Sequence, residues 1–525
     1  MKRQHHGTKR YFIEGEGFVG EPTLKKIDFN FKRASNESFT EIEQDNDTSR
    51  AFRFTRMLNL PQFNPSRESL QELGLIMEEN PLLKDHPDLP AGFTYFGQFL
   101  DHDITRDETE GLPNTVLTPE EITQGRSPSL DLDSVYGRGP VLSPELYEFD
   151  KIRLKIGKTT KSDFPPGEAS ETGVNDSYFN DLPRDSNRNA IIGDSRNDEN
   201  LAVAQTHLAF LKFHNKIVDK LETEQGLTGN ILFEKAKQEV VKHYQWIVLN
   251  DFLPLITDDN VLSDVLNNGS KFFIVNDNEI PAMPIEFSVA AYRLGHSMIR
   301  DDYEWNRVFQ SGGPGPLGTL RFLFQFTGLS GNLDGEPTLP SNWIIDWTRF
   351  FDFTNFDGNN NHPKFNNARL IDTALANHLK NVPGFPPGPD SSLSVMNLIR
   401  GKIVGLPTGQ AVANLFNTQP LTKEQIASGP HKDVILQNGF ETQTPLWYYI
   451  LKESEELNDG ENLGPVGSRI LIETFVGLIT GSKHSIIKDS NWKPSLSIRN
   501  VEDFSMSDLL AFVDDLNPIG EVPIA

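Results

Sequence analysis

The chain has 525 residues, which at roughly 150 residues per domain permits three domains or one large one. Lys and Arg number 49 against 74 Asp and Glu, and a formal charge of −25 repels phosphate backbones, so nucleic-acid binding is not expected. Cysteine is absent, which excludes disulfides, thiolate metal sites, iron–sulfur clusters and cysteine nucleophiles, and leaves 12 histidines and the carboxylates as ligands.

Residues 1–50 are polar and read as a surface arm. No run approaches the ~18 apolar residues of a membrane span, and the basic start lacks the apolar stretch of a secretory signal. A soluble protein is expected, cytoplasmic or secreted without a Sec-type signal. Residues 111–190 are rich in Pro, Gly, Ser and Asp and predict long loops. Beyond 195, Leu201, Ala204, Leu208, Leu211 and Val218 mark one face of a helix, and Ser195 with Asp198 resembles a capping box at its start. Further helices are expected at about 233–250, 286–300, 366–380, 408–416, 421–428, 443–458 and 466–480. Strand alternation is scarce. The class is mainly α with long loops and little β.

Five segments carry chemistry. In Gly97-Gln98-Phe99-Leu100-Asp101-His102-Asp103, helical spacing puts Gln98, Asp101 and His102 on one face and turns Asp103 about 200° from Asp101. Alone this reads equally as a solvated surface turn, but Phe93, Tyr95, Phe96, Phe99 and Leu100 make its surroundings apolar, and polar groups there need partners. Ser127, Ser129, Asp131 and Asp133 alternate, so an extended segment would present their oxygens along one edge, either to a hard cation such as calcium or as a polar edge strand. Arg196 and Glu199 sit three apart, as an ion pair at a helix start would. Arg293 and His296 share a helix face beside Gly295, although a lone histidine on an apolar helix is usually a core residue. Asn397-Leu398-Ile399-Arg400 follows, then Gly405-Leu406-Pro407.

Together, in this order, the five segments resemble the animal-type haem peroxidase family, over roughly residues 50–500. Pro445-Leu446-Trp447-Tyr448-Tyr449-Ile450 is similar to a stretch typical of bacterial members. The resemblance implies one large helical haem domain, 51–515, with a tail at 516–525. It assigns the distal base to His102, the catalytic arginine to Arg196 and a halide-bordering position to Gln98. The haem-iron ligand would be His296, with Asn397 accepting its second N–H through the side-chain carbonyl and Arg293 pairing with a haem propionate. Asp101 and Glu199 match residues that form ester bonds to haem b. Asn200 stands where some members have a methionine that makes a third link, so none is expected. Calcium would be held by Asp103, Ser127, Asp131 and Asp133 and the backbone carbonyl of Ser129. His207 and His214 would serve in packing.

The implied activity is reduction of hydrogen peroxide with oxidation of a halide, thiocyanate or small aromatic donor. One alternative is a fatty-acid dioxygenase, whose radical tyrosine lies three residues before the proximal histidine. That position is Arg293, and Tyr292, four before, is expected to point elsewhere. A second alternative is a calcium-stabilised adhesion protein without activity.

Overall fold

The computed structural model describes residues 11–13, 17–19, 52–78, 83–108, 117–162, 179–276, 280–354, 356, 362–382, 388–497, 499 and 502–520. Nine helices of eight or more residues lie among them: α1 (Arg67–Met77), α2 (Gly92–Ile104), α3 (Leu201–Gln225), α4 (Gly229–Ile247), α5 (Asp259–Asn268), α6 (Leu393–Ile403), α7 (Leu446–Asn458), α8 (Pro465–Gly481) and α9 (Met506–Val513). Strands are two to six residues long. Phe52–Thr55 pairs antiparallel with Thr123–Gln124 and parallel with Met283–Pro284, and Asp85–Pro90 pairs antiparallel with Asn367–Arg369. The fold is mainly α, built round one continuous apolar core. No helix among the described residues is long and apolar enough to cross a membrane.

Helix α2 lies at the centre. All but Gly97 and Gln98 of its residues are buried, as expected of a helix that is apolar nearly all round. Phe99 stacks on Phe210 of α3 at 4.8 Å, and Phe96 meets Phe252 edge-on at 5.6 Å. A Cβ on Gly92 would lie 2.4 Å from the Phe351 ring and 2.5 Å from the Phe350 carbonyl oxygen, so only glycine fits where α2 begins. Helix α3 starts on Asn200, whose side chain accepts from Ala202 N–H, and stops at Gly226 with φ 63°. Helix α4 passes into a π-turn at Val248–Phe252, which delivers Phe252 to α2.

Several expectations fail. Ser195–Asp198 is a separate 3-10 turn capped by Asp194, not the capping box of α3. The segment 127–134 is no extended edge: Leu130 and Leu132 take left-handed φ of 44° and 59°, and a short helix follows at Asp133–Tyr136. Within 286–300 the chain forms Ile285–Ser288 and then a 3-10 turn, Ala291–His296, because Ala290 leaves helical geometry at φ −132°, ψ −73°. Within 366–380 it forms the strand Asn367–Arg369 and a 3-10 turn at Asn377–Asn381. Ile371, Leu375 and Leu379 are buried there at four-residue spacing without an α-helix. The helix expected at 421–428 is only Lys423–Ile426. Of the predicted arm, Tyr11–Ile13 and Gly17–Val19 pair antiparallel, and the rest lies outside the described residues, as does 521–525 of the tail.

Candidate active site

A cavity opens between α2 and the 3-10 turn Ala291–His296. Gln98 and Asp101 line it from α2, Phe252 from the π-turn, and Arg293 and His296 from the 3-10 turn. A 3-10 helix has three residues per turn, so Arg293 and His296 eclipse, as their spacing suggested for a different reason.

His102 is fully buried behind this wall. Its Nδ1 lies 2.8 Å from Asn197 Oδ1, and its Nε2 lies 3.3 Å from Glu199 Oε1 without hydrogen-bond geometry. Burial, then the nearby Arg196 cation, pushes its pKa down to about 3, so the ring is neutral at physiological pH. Gln98 Nε2 donates to the same Glu199 Oε1 at 3.0 Å. Asp101 accepts from Thr105 Oγ1 at 3.0 Å. Arg196 does not line the cavity either. It closes the C-terminal end of α2: Nη2 donates to the carbonyls of His102 (2.8 Å) and Thr105 (2.6 Å), which lack helical partners there. Its Nη1 is buried with no partner. Asp194 holds Arg196 through both oxygens and also accepts from Arg126 Nε at 2.6 Å. Burial raises the Asp194 pKa, but Arg126, Arg196 and Arg106 outweigh it and hold the carboxyl well below its usual range.

On the other side, Asn397 Oδ1 accepts from Arg293 Nη1 at 2.6 Å, and its Nδ2 lies 2.7 Å from His296 Nδ1. This corrects two expectations. The nitrogen, not the carbonyl, of Asn397 faces His296, because a guanidinium has only donors and claims the oxygen. Arg293 is engaged with Asn397 and with the Ser288 carbonyl at 3.1 Å. Tyr292 does not point elsewhere: it lines the same cavity and donates to the Gly97 carbonyl at 3.0 Å. Trp447 Nε1 donates to the Arg293 carbonyl at 3.3 Å, and its ring meets His296 edge-on at 6.5 Å.

Asp103 leaves the cavity face, as its helical position requires. It accepts from Leu132 N–H, Ser134 N–H, Ser134 Oγ and Tyr244 OH. Ser127 Oγ donates to Asp131 Oδ2, Ser127 N–H donates to Asp133 Oδ2, and Ser129 N–H donates weakly to Ser127 Oγ. Burial and mutual repulsion raise the carboxyl pKa values of Asp103, to about 6, and of Asp133, and burial raises that of Asp131. As placed, no three acidic or histidine groups among the described residues converge as a metal cluster. Arg126 joins this loop to Arg196, contacting Asp133 at 3.5 Å and Asp194 at 2.6 Å. Arg400, expected only as part of a motif, pairs with Asp107.

The animal haem peroxidase family model matches residues 106–511, beginning just after α2. The peroxidase-like protein of Margaritifera margaritifera is 29% identical over 226 residues, covering 41% of this chain and 26% of that protein. A peroxidasin homologue of Caenorhabditis elegans is 24% identical over 396 residues, 72% of this chain and 29% of its own length. The chain thus spans less than a third of either relative. Among solved structures, peroxidase A of Dictyostelium discoideum superposes with a TM-score of 0.61 at 18% identity, covering 90% of this chain and 94% of that one. A fatty acid α-dioxygenase of Oryza sativa gives 0.56 at 13% identity, covering 87% and 80%. These likenesses establish a shared fold. With the family model covering most of its length, the chain belongs to the animal haem peroxidase family.

Proposed function

We propose that the chain is a haem peroxidase that reduces hydrogen peroxide and oxidises a small donor: a halide, thiocyanate or a small aromatic. The observation that carries this reading is a buried, neutral His102 whose Nε2 points at Glu199 beside a cavity bordered by His296. The residues fit a haem. A Cβ on Gly295 would meet no heavy atom within 4 Å, so open space borders the cavity wall beside His296. His102 Nε2 and Arg196 Nη1 are buried without hydrogen-bond partners. His296 would hold the iron, and Asp101 and Glu199 would hold the macrocycle by ester links. When bound, haem supplies the redox chemistry that cleaves the oxygen–oxygen bond.

His102 takes a proton at Nε2 and returns it, the work of a neutral imidazole within reach of its substrate. Arg196 would supply its fixed positive charge from behind the cavity wall, through the partnerless Nη1. Gln98 orients Glu199 and borders the space in which donors approach. An iron ligand needs a bare nitrogen. In the present arrangement His296 Nδ1 accepts from Asn397, which puts the proton on Nε2. Ligation through Nε2 would therefore need the Asn397 amide turned with its oxygen to His296, while Arg293 Nε would keep the Ser288 carbonyl either way.

Calcium is the cation we assign to Asp103, Ser127, Asp131 and Asp133, with the Ser129 carbonyl. Asp131 Oδ1 is buried without a partner, and three carboxyls with raised pKa values, Asp103 buried and Asp131 and Asp133 half-buried, call for positive charge beyond Arg126 and Lys237. Chelation should lower the thermal midpoint and slow the reaction with peroxide, because the loop holds Asp103 next to His102 and, through Arg126 and Asp194, holds Arg196. Metal loss that leaves both unchanged would count against the assignment.

The esters have their own test. After peroxide treatment, acidified organic solvent should leave haem on the protein. Asp101→Asn and Glu199→Gln should each remove one attachment, and the double variant should release all of it. Full extraction from the treated wild type would refute the links.

A fatty-acid dioxygenase is the second reading, favoured by Tyr292 on the cavity wall. Side-by-side assays with bromide, iodide, thiocyanate, a phenol and linoleate decide between them. Peroxide-dependent turnover of one of the first four supports the peroxidase, and turnover of linoleate alone overturns it.

A further inference from the structure

Asn197 sits between two fully buried imidazoles, with Oδ1 2.8 Å from His102 Nδ1 and Nδ2 2.9 Å from His207 Nδ1. Two elements make this bridge. The 3-10 turn Ser195–Asp198 carries Asn197 against the end of α2, and α3 carries His207, whose ring also meets Phe99 edge-on at 5.9 Å. His207 is therefore not a packing residue alone.

An amide is asymmetric: its oxygen only accepts and its nitrogen only donates. With Oδ1 on His102, the His102 proton lies on Nδ1 and Nε2 is bare. With Nδ2 on His207, His207 Nδ1 is bare and its proton lies on Nε2. Turning the amide would invert both tautomers at once. His102 would then present an N–H on the side facing Glu199 and could not accept a proton there. Glu199 itself pulls in that direction, since its Oε1 lies 3.3 Å from His102 Nε2. The contact lacks hydrogen-bond geometry, whereas the bond to Asn197 is short.

We propose that Asn197, anchored by His207, is a positioning residue that fixes His102 in the tautomer with Nε2 bare. This rests on the peroxidase reading above, in which His102 is the base. Wrong-tautomer imidazoles are poor bases even where the geometry survives.

The test uses the holoprotein labelled with ¹⁵N-histidine, in its reduced, diamagnetic carbon monoxide form, together with stopped-flow mixing with peroxide. In the wild type, His102 should show a protonated Nδ1 and a bare Nε2, and His207 the reverse. Asn197→Leu should abolish that single pattern and slow the peroxide reaction by about 10- to 100-fold with haem content unchanged. Asn197→Asp accepts from both rings. It should keep His102 protonated at Nδ1, move the His207 proton from Nε2 to Nδ1, and recover most of the rate. This variant carries the test if the leucine variant does not fold. A wild-type His102 protonated at Nε2, or unchanged nitrogen signals in the variants, overturns the inference. A wild type with the expected tautomers but no reaction with peroxide overturns the peroxidase reading instead.

Discussion

Replacement of His296 by alanine is expected to abolish stable haem retention. His296 is the buried imidazole on the wall of the cavity that also contains Gly295 and Arg293. Loss of a residue that merely supports a ligand typically costs ~10- to 100-fold in metal affinity, and loss of the ligand itself should exceed that. Haem content after gel filtration measures it. His214 is the control. Its ring nitrogens lie 3.0 Å from Tyr136 OH and 2.9 Å from the Ile152 carbonyl oxygen, remote from the cavity lining, so His214→Ala should lower stability and leave haem bound. Because a bound ligand stabilises the folded state by mass action, His296→Ala should also show the thermal midpoint of the haem-free chain. Normal haem content in His296→Ala would move the ligand elsewhere.

The second large effect belongs to His102. Alanine there leaves His296 and the cavity lining intact, so haem should remain, while the reaction with peroxide slows by the ~10²–10⁴ typical of a lost general acid–base. Stopped-flow absorbance on matched haem concentrations reads the effect. Unchanged peroxide reactivity would remove His102 from the mechanism and would also remove the reason for Asn197 to control its tautomer.

What the sequence made legible follows from local geometry. Gln98, Asp101, His102 and Asp103 are close in the chain on one regular helix, α2, whose 3.6-residue spacing puts Gln98 and Asp101 on the cavity and turns Asp103 away from it, while His102 lies buried behind that wall. The Arg196–Glu199 ion pair that the spacing suggested does not form: Arg196 pairs with Asp194, Glu199 accepts from Gln98, and the element carrying Arg196 is a 3-10 turn rather than the start of α3. The proximal side was harder. The break at Ala290 and the turn after it depend on packing of Phe287 and Tyr292 against Phe475 of α8, a contact between residues far apart in sequence. The orientation of Asn397 depends on Arg293, 104 residues away. Asn197 gave no signal, since its role exists only where a turn meets α2 and α3. Helix α1, by contrast, was readable and overlooked: Ser66 caps it, and Leu70, Leu73 and Met77 are buried at helical spacing. The strand Asn367–Arg369 was masked by helix-like apolar spacing just beyond it, and its pairing with Asp85–Pro90 is non-local.

The central claim, that this cavity reduces peroxide at the expense of a donor, is tested most directly by stoichiometry. The haem-loaded protein is given a measured amount of hydrogen peroxide with excess phenol in a closed oxygen-electrode cell, and the same cell is then charged with linoleate. A peroxidase consumes one peroxide for two one-electron oxidations of the phenol, takes up no oxygen with linoleate, and loses the phenol reaction in His102→Ala. Oxygen uptake that follows linoleate, with peroxide left unspent in the presence of phenol, would contradict it.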